Sequence, residues 1–193
     1  MLYNFQIAFT QAINKCATFD KTQELINANP GLQKQIDKEK NDLENHIKSY
    51  NLNPVPFQTT PIYVIPVVFH VIHENGIENI PDAKIFEGIK IVNQDFRLWN
   101  SDSIEIDQDF LGVKGNGGIE FRLAQLDPNG NSTTGIDRIV SSETNVGDDG
   151  SKLNPWPRNK YLNIWVIKTY PSGAAGYSYL PSTVDPSFMA IVD

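Results

Sequence analysis

The chain has 193 residues, of which 40% are hydrophobic and 20% are charged, and its formal net charge at pH 7 is −7. This composition is that of a globular protein, and the length suits one domain with an appendage. An acidic chain has no electrostatic attraction to nucleic acid or to anionic membranes, which excludes both as main partners. The single cysteine, Cys16, excludes a disulfide within the chain.

Residues 1–61 form the first of two regions that differ in pattern. The opening residues are apolar but interrupted by polar ones, and no basic segment precedes them, so a signal peptide is not clearly present. Thr22 is a candidate N-cap of a short helix that runs to Ala28 and is interrupted at Asn29-Pro30. A second helix is predicted beyond the break, with apolar residues on one face at Leu32, Ile36, Leu43 and Ile47.

This apolar stripe is too thin to form a core of its own. The second helix is therefore either a plain surface helix or one that docks on a larger domain. Residues 51–61 are rich in proline and polar side chains, which predicts an extended and exposed linker. Exposed extended chain is what proteases cut, and this linker is therefore a candidate processing region.

From Ile62 onward the pattern becomes that of an α/β domain. Residues 63–72 are a nearly continuous β-branched apolar run, typical of a strand covered on both faces. A helix is predicted to open at Pro81-Asp82 and to end near Leu98. Its inner face is predicted from the helical spacing of four apolar residues, Ile85, Ile89, Val92 and Phe96.

Five further strands are predicted. Residues 119–126 alternate between apolar and polar, residues 135–141 return after a turn, and residues 161–168 form another buried strand. A short strand follows at residues 176–180, and a last one begins at residues 188–192. Because nothing follows this last apolar strand to pack against it, the sequence is expected to be truncated.

The histidines do not predict a catalytic metal site in this chain. A hydrolytic zinc site needs about three protein ligands, commonly His-Glu-x-x-His on one helix face. His46, His70 and His73 belong to no such motif. His70 and His73 are predicted to point to opposite faces of one strand, so structural roles are expected for both.

Other kinds of site also lack support. There is no Gly-x-Ser-x-Gly motif, and Cys16 has no local base beside it. The glycine-rich residues 115–118 precede a strand, so they lack the helix N-terminus that would hold a phosphate. Residues 127–131 resemble half a calcium loop without its closing glutamate, which favours a hairpin turn.

Several short motifs occur in order over residues 62–193. They are IPVVFHVI at 65–72, IPDAKI at 80–85, NQDFR at 93–97, GIEFRLA at 118–124, DPNG at 127–130, TGIDR at 134–138, Trp156, KYLNIWV at 160–166 and GYSYLP at 176–181. In order and spacing this series resembles the opening half of the catalytic domain in pappalysin-type peptidases, a branch of the metzincin clan.

The resemblance implies a secreted zinc metalloprotease made as a zymogen. The expected fold is α/β, a metzincin-like upper subdomain with a mixed, mostly parallel twisted sheet and a backing helix, preceded by a helical propeptide. Residues 1–61 would be the N-terminal segment, propeptide and linker, and residues 62–193 a truncated upper subdomain. The family's zinc-binding helix and methionine turn do not occur in the sequence. Most zinc ligands, and any calcium site, are therefore expected in the missing half.

The resemblance also implies a regulatory role for Cys16. In related enzymes a cysteine, a small residue and a threonine precede the propeptide helix, and Cys16-Ala17-Thr18 matches this pattern. Such a cysteine switch makes the Cys16 thiolate a zinc ligand at the position that water needs. The alternative is an inert thiol on a flexible N-terminus.

Residues 176–180 correspond, by the same resemblance, to the upper rim of the substrate cleft. In the clan this short strand pairs through its backbone with an extended substrate, as in β-augmentation. Gly176, Tyr177, Ser178 and Tyr179 are therefore candidate substrate-binding residues. The alternative is an ordinary edge strand.

Two hypotheses follow. The first is the zymogen part of a zinc endopeptidase, inactive alone, whose partners are a peptide or protein substrate and the missing C-terminal half. The second is a non-catalytic binding module derived from a protease upper subdomain.

Overall fold

The computed structural model of the chain describes residues 16–52, 62–170 and 173–180. The chain divides into two compact units. The first unit consists of Met1–Asn45 with Tyr170–Asp193, and the second of His46–Thr169. The linker predicted at residues 51–61 lies outside the described residues except for its first two, and so does the strand predicted at residues 188–192. The domain boundary between residues 61 and 62 stays a prediction.

The first helix, α1, spans Thr18–Ala28 and begins earlier than the sequence suggests. The backbone N–H of Lys21 already donates to the carbonyl of Ala17 at 2.9 Å, which closes the first turn. Thr22 therefore lies inside the helix, and its hydroxyl donates to the carbonyl of Thr18 at 2.8 Å. The prediction of Thr22 as an N-cap is wrong, because a threonine can bond back into a helix as readily as it can open one.

The predicted break between the first two helices is confirmed at Asn29, whose backbone is extended. Its side-chain oxygen accepts the backbone N–H of Gly31 at 3.2 Å, where α2 begins, and α2 ends at Leu52. Leu32 is 1% exposed, but Leu43 and Ile47 are 59% and 48% exposed. The predicted apolar face of α2 is therefore buried at its start and exposed toward its end, because periodicity shows which residues share a face but not whether another element covers them.

The second unit is built on a parallel sheet around one long strand, β1, which spans Tyr63–His73. On one edge β1 pairs first with β2 (Ile119–Leu123) and then with β3 (Ile136–Val140). On its other edge it pairs with β4 (Leu162–Val166). Every pairing between these four strands is parallel, and the predicted mostly parallel α/β sheet is confirmed.

The core of the second unit lies along the C-terminal part of β1. Val67, Val68, His70, Val71 and Ile72 are fully buried. Tyr63 and Val64, at the start of the strand, are exposed. The prediction that β1 is covered on both faces is therefore correct only beyond residue 66.

Helix α3 spans Asp82–Phe96 and lies against the edge of β2. Its Ile85 is buried, whereas Val92 and Phe96 are 40% and 43% exposed, so the predicted inner face is only partly covered. A polar residue makes the key contact instead. The Asn93 side chain donates to the Phe121 carbonyl at 2.8 Å and accepts the Phe121 N–H at 2.7 Å. Asn93 thus satisfies the backbone of β2 where no neighbouring strand pairs with it among the described residues.

The segment between β2 and β3 contains the predicted turn. Leu126 and Ser132 form an antiparallel bridge around it. The Asp127 carboxylate accepts the backbone N–H groups of Asn129 and Asn131, both at 2.8 Å. This is an Asx-type turn, in which the aspartate side chain replaces a backbone acceptor. Beyond the turn β3 does not pair with β2, because both strands follow one another along the same edge of β1.

Among the described residues, no helix has both the length and the apolar character needed to cross a membrane.

Candidate functional site

The candidate site lies in the first unit, where the start of α1 meets residues 173–180. Cys16 and Gly176 form an isolated parallel β-bridge. The backbone N–H of Ala17 donates to the Gly176 carbonyl at 2.8 Å. The structure thus brings together the predicted switch cysteine and the predicted cleft rim, which are 160 residues apart in the sequence.

The predicted strand at residues 176–180 is shorter in the structure than expected. A single bridge, at Gly176, is its only strand pairing among the described residues. The second contact to α1 comes from a side chain, since the Ser178 N–H donates to the Thr18 hydroxyl at 2.9 Å. An isolated bridge forms because α1 begins at Thr18 and turns the chain away from the extended direction.

The Thr18 hydroxyl is the centre of the site. Besides accepting the Ser178 N–H, it lies 3.1 Å from the Cys16 sulfur and 3.3 Å from the Ser178 hydroxyl. One oxygen therefore contacts both the thiol and the rim. Sequence reasoning noted Thr18 only as part of the Cys-Ala-Thr pattern and assigned it no role.

The Cys16 thiol is exposed and chemically biased toward its ionised form. Hydrogen bonds from the Thr18 hydroxyl and then from the Thr18 backbone hold the pKa of Cys16 below its ordinary value, against a smaller opposing effect of burial. The thiolate is the form that attacks electrophiles and binds metals. The arrangement therefore favours the species that a cysteine switch requires.

Three tyrosines form an aromatic row along the rim. The ring centroids of Tyr170 and Tyr177 are 5.4 Å apart, and those of Tyr177 and Tyr179 are 5.6 Å apart. The ammonium group of Lys21, on α1, lies 5.6 Å from the centre of the Tyr177 ring, within cation–π range. Lys21 also pairs with Glu24 at 2.9 Å. Nothing in the sequence pattern pointed to Lys21.

One residue at this site, Cys16, could bind a zinc ion. Cys16 offers an exposed sulfur whose pKa lies below its ordinary value, which fits one zinc ligand. In the parts of the chain that the structure describes, no three His, Cys, Asp or Glu side chains are grouped to hold a metal. Cys16 therefore fits the implied metal as a single ligand, and the remaining ligands are expected from elsewhere.

The two buried histidines have structural roles, as predicted. His70 Nδ1 lies 3.1 Å from Asp137 Oδ2, and His70 Nε2 lies 2.9 Å from Asn163 Oδ1. The His70 ring stacks on Trp165 at 5.1 Å. His73 Nδ1 accepts the N–H of Asn75 at 3.1 Å.

The second unit also has an open cleft of about 490 Å³ beside Asp127 and Asp137. Both carboxylates are already hydrogen bonded inside the protein. Asp127 accepts from its own turn, and Asp137 accepts from Asn154 at 2.7 Å while it contacts His70. The two carboxylates beside the cleft therefore already have hydrogen-bond partners within the protein.

Comparison with known proteins gives matches among solved structures. No protein-family model and no curated protein matches the chain. A promirolysin variant of Tannerella forsythia, in which a glutamate is replaced by alanine, is 32% identical over 88% of this chain and 55% of its own, with a TM-score of 0.69. Mature mirolysin of Tannerella forsythia in complex with a cleaved peptide is 40% identical over 55% of this chain and 43% of its own, with a TM-score of 0.53. Mirolysin in complex with a compound is 41% identical over 54% of this chain and 42% of its own, with a TM-score of 0.52.

The chain thus spans about half the length of the solved structures that it matches. Its structural neighbours are the metalloprotease mirolysin and the precursor of that protease. The match to the precursor covers 88% of the chain, whereas the matches to mature mirolysin and to mirolysin with a compound cover little more than half. The similarity therefore supports a relation to a metalloprotease precursor.

Proposed function

We propose that this chain is the latency segment and upper subdomain of a secreted zinc endopeptidase of the pappalysin type, made as a zymogen. The pairing of Cys16 and Ala17 with Gly176 is the observation that carries the proposal. The similarity to promirolysin supports the zymogen, and the motif series supports the pappalysin type. In this proposal residues 1–61 are removed on activation, by cleavage within residues 51–61, and residues 62–193 remain.

The rim would bind substrate through its backbone. Gly176 and Ser178 are two residues apart in extended chain, so their backbone groups face the same edge. An extended peptide that adds a strand at this edge needs the Gly176 carbonyl and the Ser178 N–H. In the structure both groups are hydrogen bonded to α1 and the residue before it. Residues 16–18 would therefore compete directly with a peptide or protein substrate.

Cys16 would add a second block at the metal. Zinc in such enzymes binds a water and lowers its pKa, which generates the nucleophile for peptide hydrolysis. With its thiolate at the water's position, Cys16 would hold that position closed. The described residues offer Cys16 as one ligand, and we expect this chain to be inactive without the zinc-binding half that the proposal assumes. Calcium, where bound, would belong to that half.

The test is substitution of Cys16 in the full-length precursor. Cys16→Ala should raise hydrolysis of a fluorogenic peptide before any processing, because the thiolate no longer occupies the metal. Cys16→Ser is the matched control for size, since a hydroxyl is a much weaker zinc ligand than a thiolate and should also release activity. Unchanged latency in both variants would show that cysteine ligation is not the cause.

Metal content separates this proposal from the binding-module alternative. The full-length precursor should contain about one zinc ion per molecule by elemental analysis, in the wild type and in both Cys16 variants. A full-length protein that binds no zinc would support the module instead. In that case Cys16 would be a surface thiol without a metal partner.

A further inference from the structure

The pairing between Cys16 and Gly176 stops after one step, and the reason lies in the backbone. In a parallel ladder the bonds are evenly spaced, so the N–H of Ser178 would next donate to the carbonyl of Ala17. That carbonyl is already used, because it accepts the N–H of Lys21 at 2.9 Å as the first acceptor of α1. The Ala17 carbonyl is therefore not free to accept the next bond of the parallel ladder.

The Thr18 hydroxyl lies where the missing acceptor would be. It accepts the Ser178 N–H at 2.9 Å, a normal distance for a backbone donor. Thr18 is the first residue of α1, so its side chain projects from the point where the backbone leaves the extended direction. The ladder thus continues for one more bond through a side chain.

We propose that the Thr18 hydroxyl is an autoinhibitory latch that stands in for a backbone carbonyl and keeps the Ser178 N–H from the substrate. This inference rests on the proposed function, since it assumes that residues 176–178 bind substrate. Thr18 is a positioning residue. A substrate strand would use two backbone groups, the Gly176 carbonyl and the Ser178 N–H. Ala17 occupies the first with its N–H, and Thr18 occupies the second with its hydroxyl.

The same hydroxyl links the latch to the cysteine. A hydroxyl has one proton and two acceptor positions. Thr18 uses an acceptor position for the Ser178 N–H, and its hydroxyl also lies 3.1 Å from the Cys16 sulfur and 3.3 Å from the Ser178 hydroxyl, where either atom of each pair can donate. Loss of the Thr18 hydroxyl therefore removes the contact on the rim and one support of the thiol together.

Two substitutions isolate the hydroxyl in the full-length precursor. Thr18→Val keeps the branched shape and removes the acceptor, whereas Thr18→Ser keeps the acceptor and removes a methyl group. Hydrogen–deuterium exchange in a peptide covering residues 173–180 reports on the Ser178 N–H. We expect exchange to be about two- to tenfold faster in Thr18→Val and close to wild type in Thr18→Ser, because one neutral hydrogen bond is lost.

Hydrolysis before processing supplies the second readout. Thr18→Val should raise it by a similar factor of about two to ten, with Thr18→Ser close to wild type. Unchanged exchange in Thr18→Val would overturn the latch. Faster exchange with unchanged latency would also overturn it, provided that Cys16→Ala raises activity, because the latency of the proposed function would then stand without Thr18. If neither Thr18→Val nor Cys16→Ala affects latency, the proposed function itself fails.

Discussion

The side chain of Asn163 holds together the core of the second unit, and its removal is the sharpest test of the fold. Its oxygen accepts the Trp156 N–H at 2.8 Å, and its nitrogen donates to the Trp156 carbonyl at 2.9 Å. These two contacts fix which end of the amide is oxygen. The same oxygen lies 2.9 Å from His70 Nε2, so that ring nitrogen must carry a proton and donate it.

The cost of Asn163→Ala can be estimated from these three hydrogen bonds. His70 is 0% exposed, and a buried donor left without its acceptor costs about 1–3 kcal/mol. Each lost hydrogen bond to the Trp156 backbone costs about 0.5–1.5 kcal/mol. The sum is roughly 4 kcal/mol, within a range of about 2–6 kcal/mol. Folded domains have a total stability of about 5–15 kcal/mol, so the loss is a large fraction of it.

The measurement is urea unfolding followed by tryptophan fluorescence, since Trp156 and Trp165 both lie against His70. Asn129→Ala is the matched control, because the Asn129 side chain is exposed and alanine retains the N–H that binds Asp127. We expect the control to change the free energy of unfolding by less than about 0.5 kcal/mol. A cost below about 1 kcal/mol for Asn163→Ala would refute the buried network as described.

Three further substitutions test local backbone and charge. Gly135 has a φ of 72°, and a Cβ there would lie 2.7 Å from the Ala124 nitrogen, so Gly135→Ala should lower stability by at least about 1–2 kcal/mol. Gly88→Ala, in the middle of α3 with nothing within 4 Å of its added Cβ, should instead raise stability by about 0.5–1 kcal/mol in the same urea assay, and a loss there would contradict the reasoning. Backbone N–H groups, that of Glu74 first, hold the pKa of Glu78 below its ordinary value, so its contribution is present above its unfolded-state pKa and is lost as pH falls through the folded-state pKa. Glu78→Gln should therefore be less stable than wild type near about pH 7, with the gap closing near about pH 3, and a gap independent of pH would count against this.

The elements that the sequence predicts well are those set by local pattern. β1 was expected at residues 63–72 and spans Tyr63–His73, because a β-branched apolar run has few other stable conformations. The start of α3 at Asp82 follows from Pro81, whose fixed φ suits a helix entrance. The turn after Asp127 follows from a side chain that bonds its own backbone two residues on.

The features that the sequence does not predict depend on residues far apart in the chain. The exposure of Leu43 and Ile47 depends on what covers α2, which periodicity does not contain. The contact of Asn93 does not follow from the sequence, because a polar residue on a helix is usually solvated, whereas here it binds the backbone of a strand edge. In the candidate site, Cys16 and Gly176 were each identified through the resemblance, but their direct pairing is a tertiary contact that no local signal encodes.

Two hydrogen bonds at the candidate site involve the backbone of the rim and not its side chains. The rim groups bound by residues 16–18 are the Gly176 carbonyl and the Ser178 N–H, both of them backbone atoms. Every residue except proline supplies such an N–H, so changes at Tyr177 or Tyr179 can alter the aromatic row without removing either bond. On the α1 side, by contrast, the acceptor is a side chain, and only serine or threonine can supply a hydroxyl there without adding a ring. Under the proposed function, residues 16–18 would therefore tolerate variation in the rim that they block and would depend on the hydroxyl of Thr18.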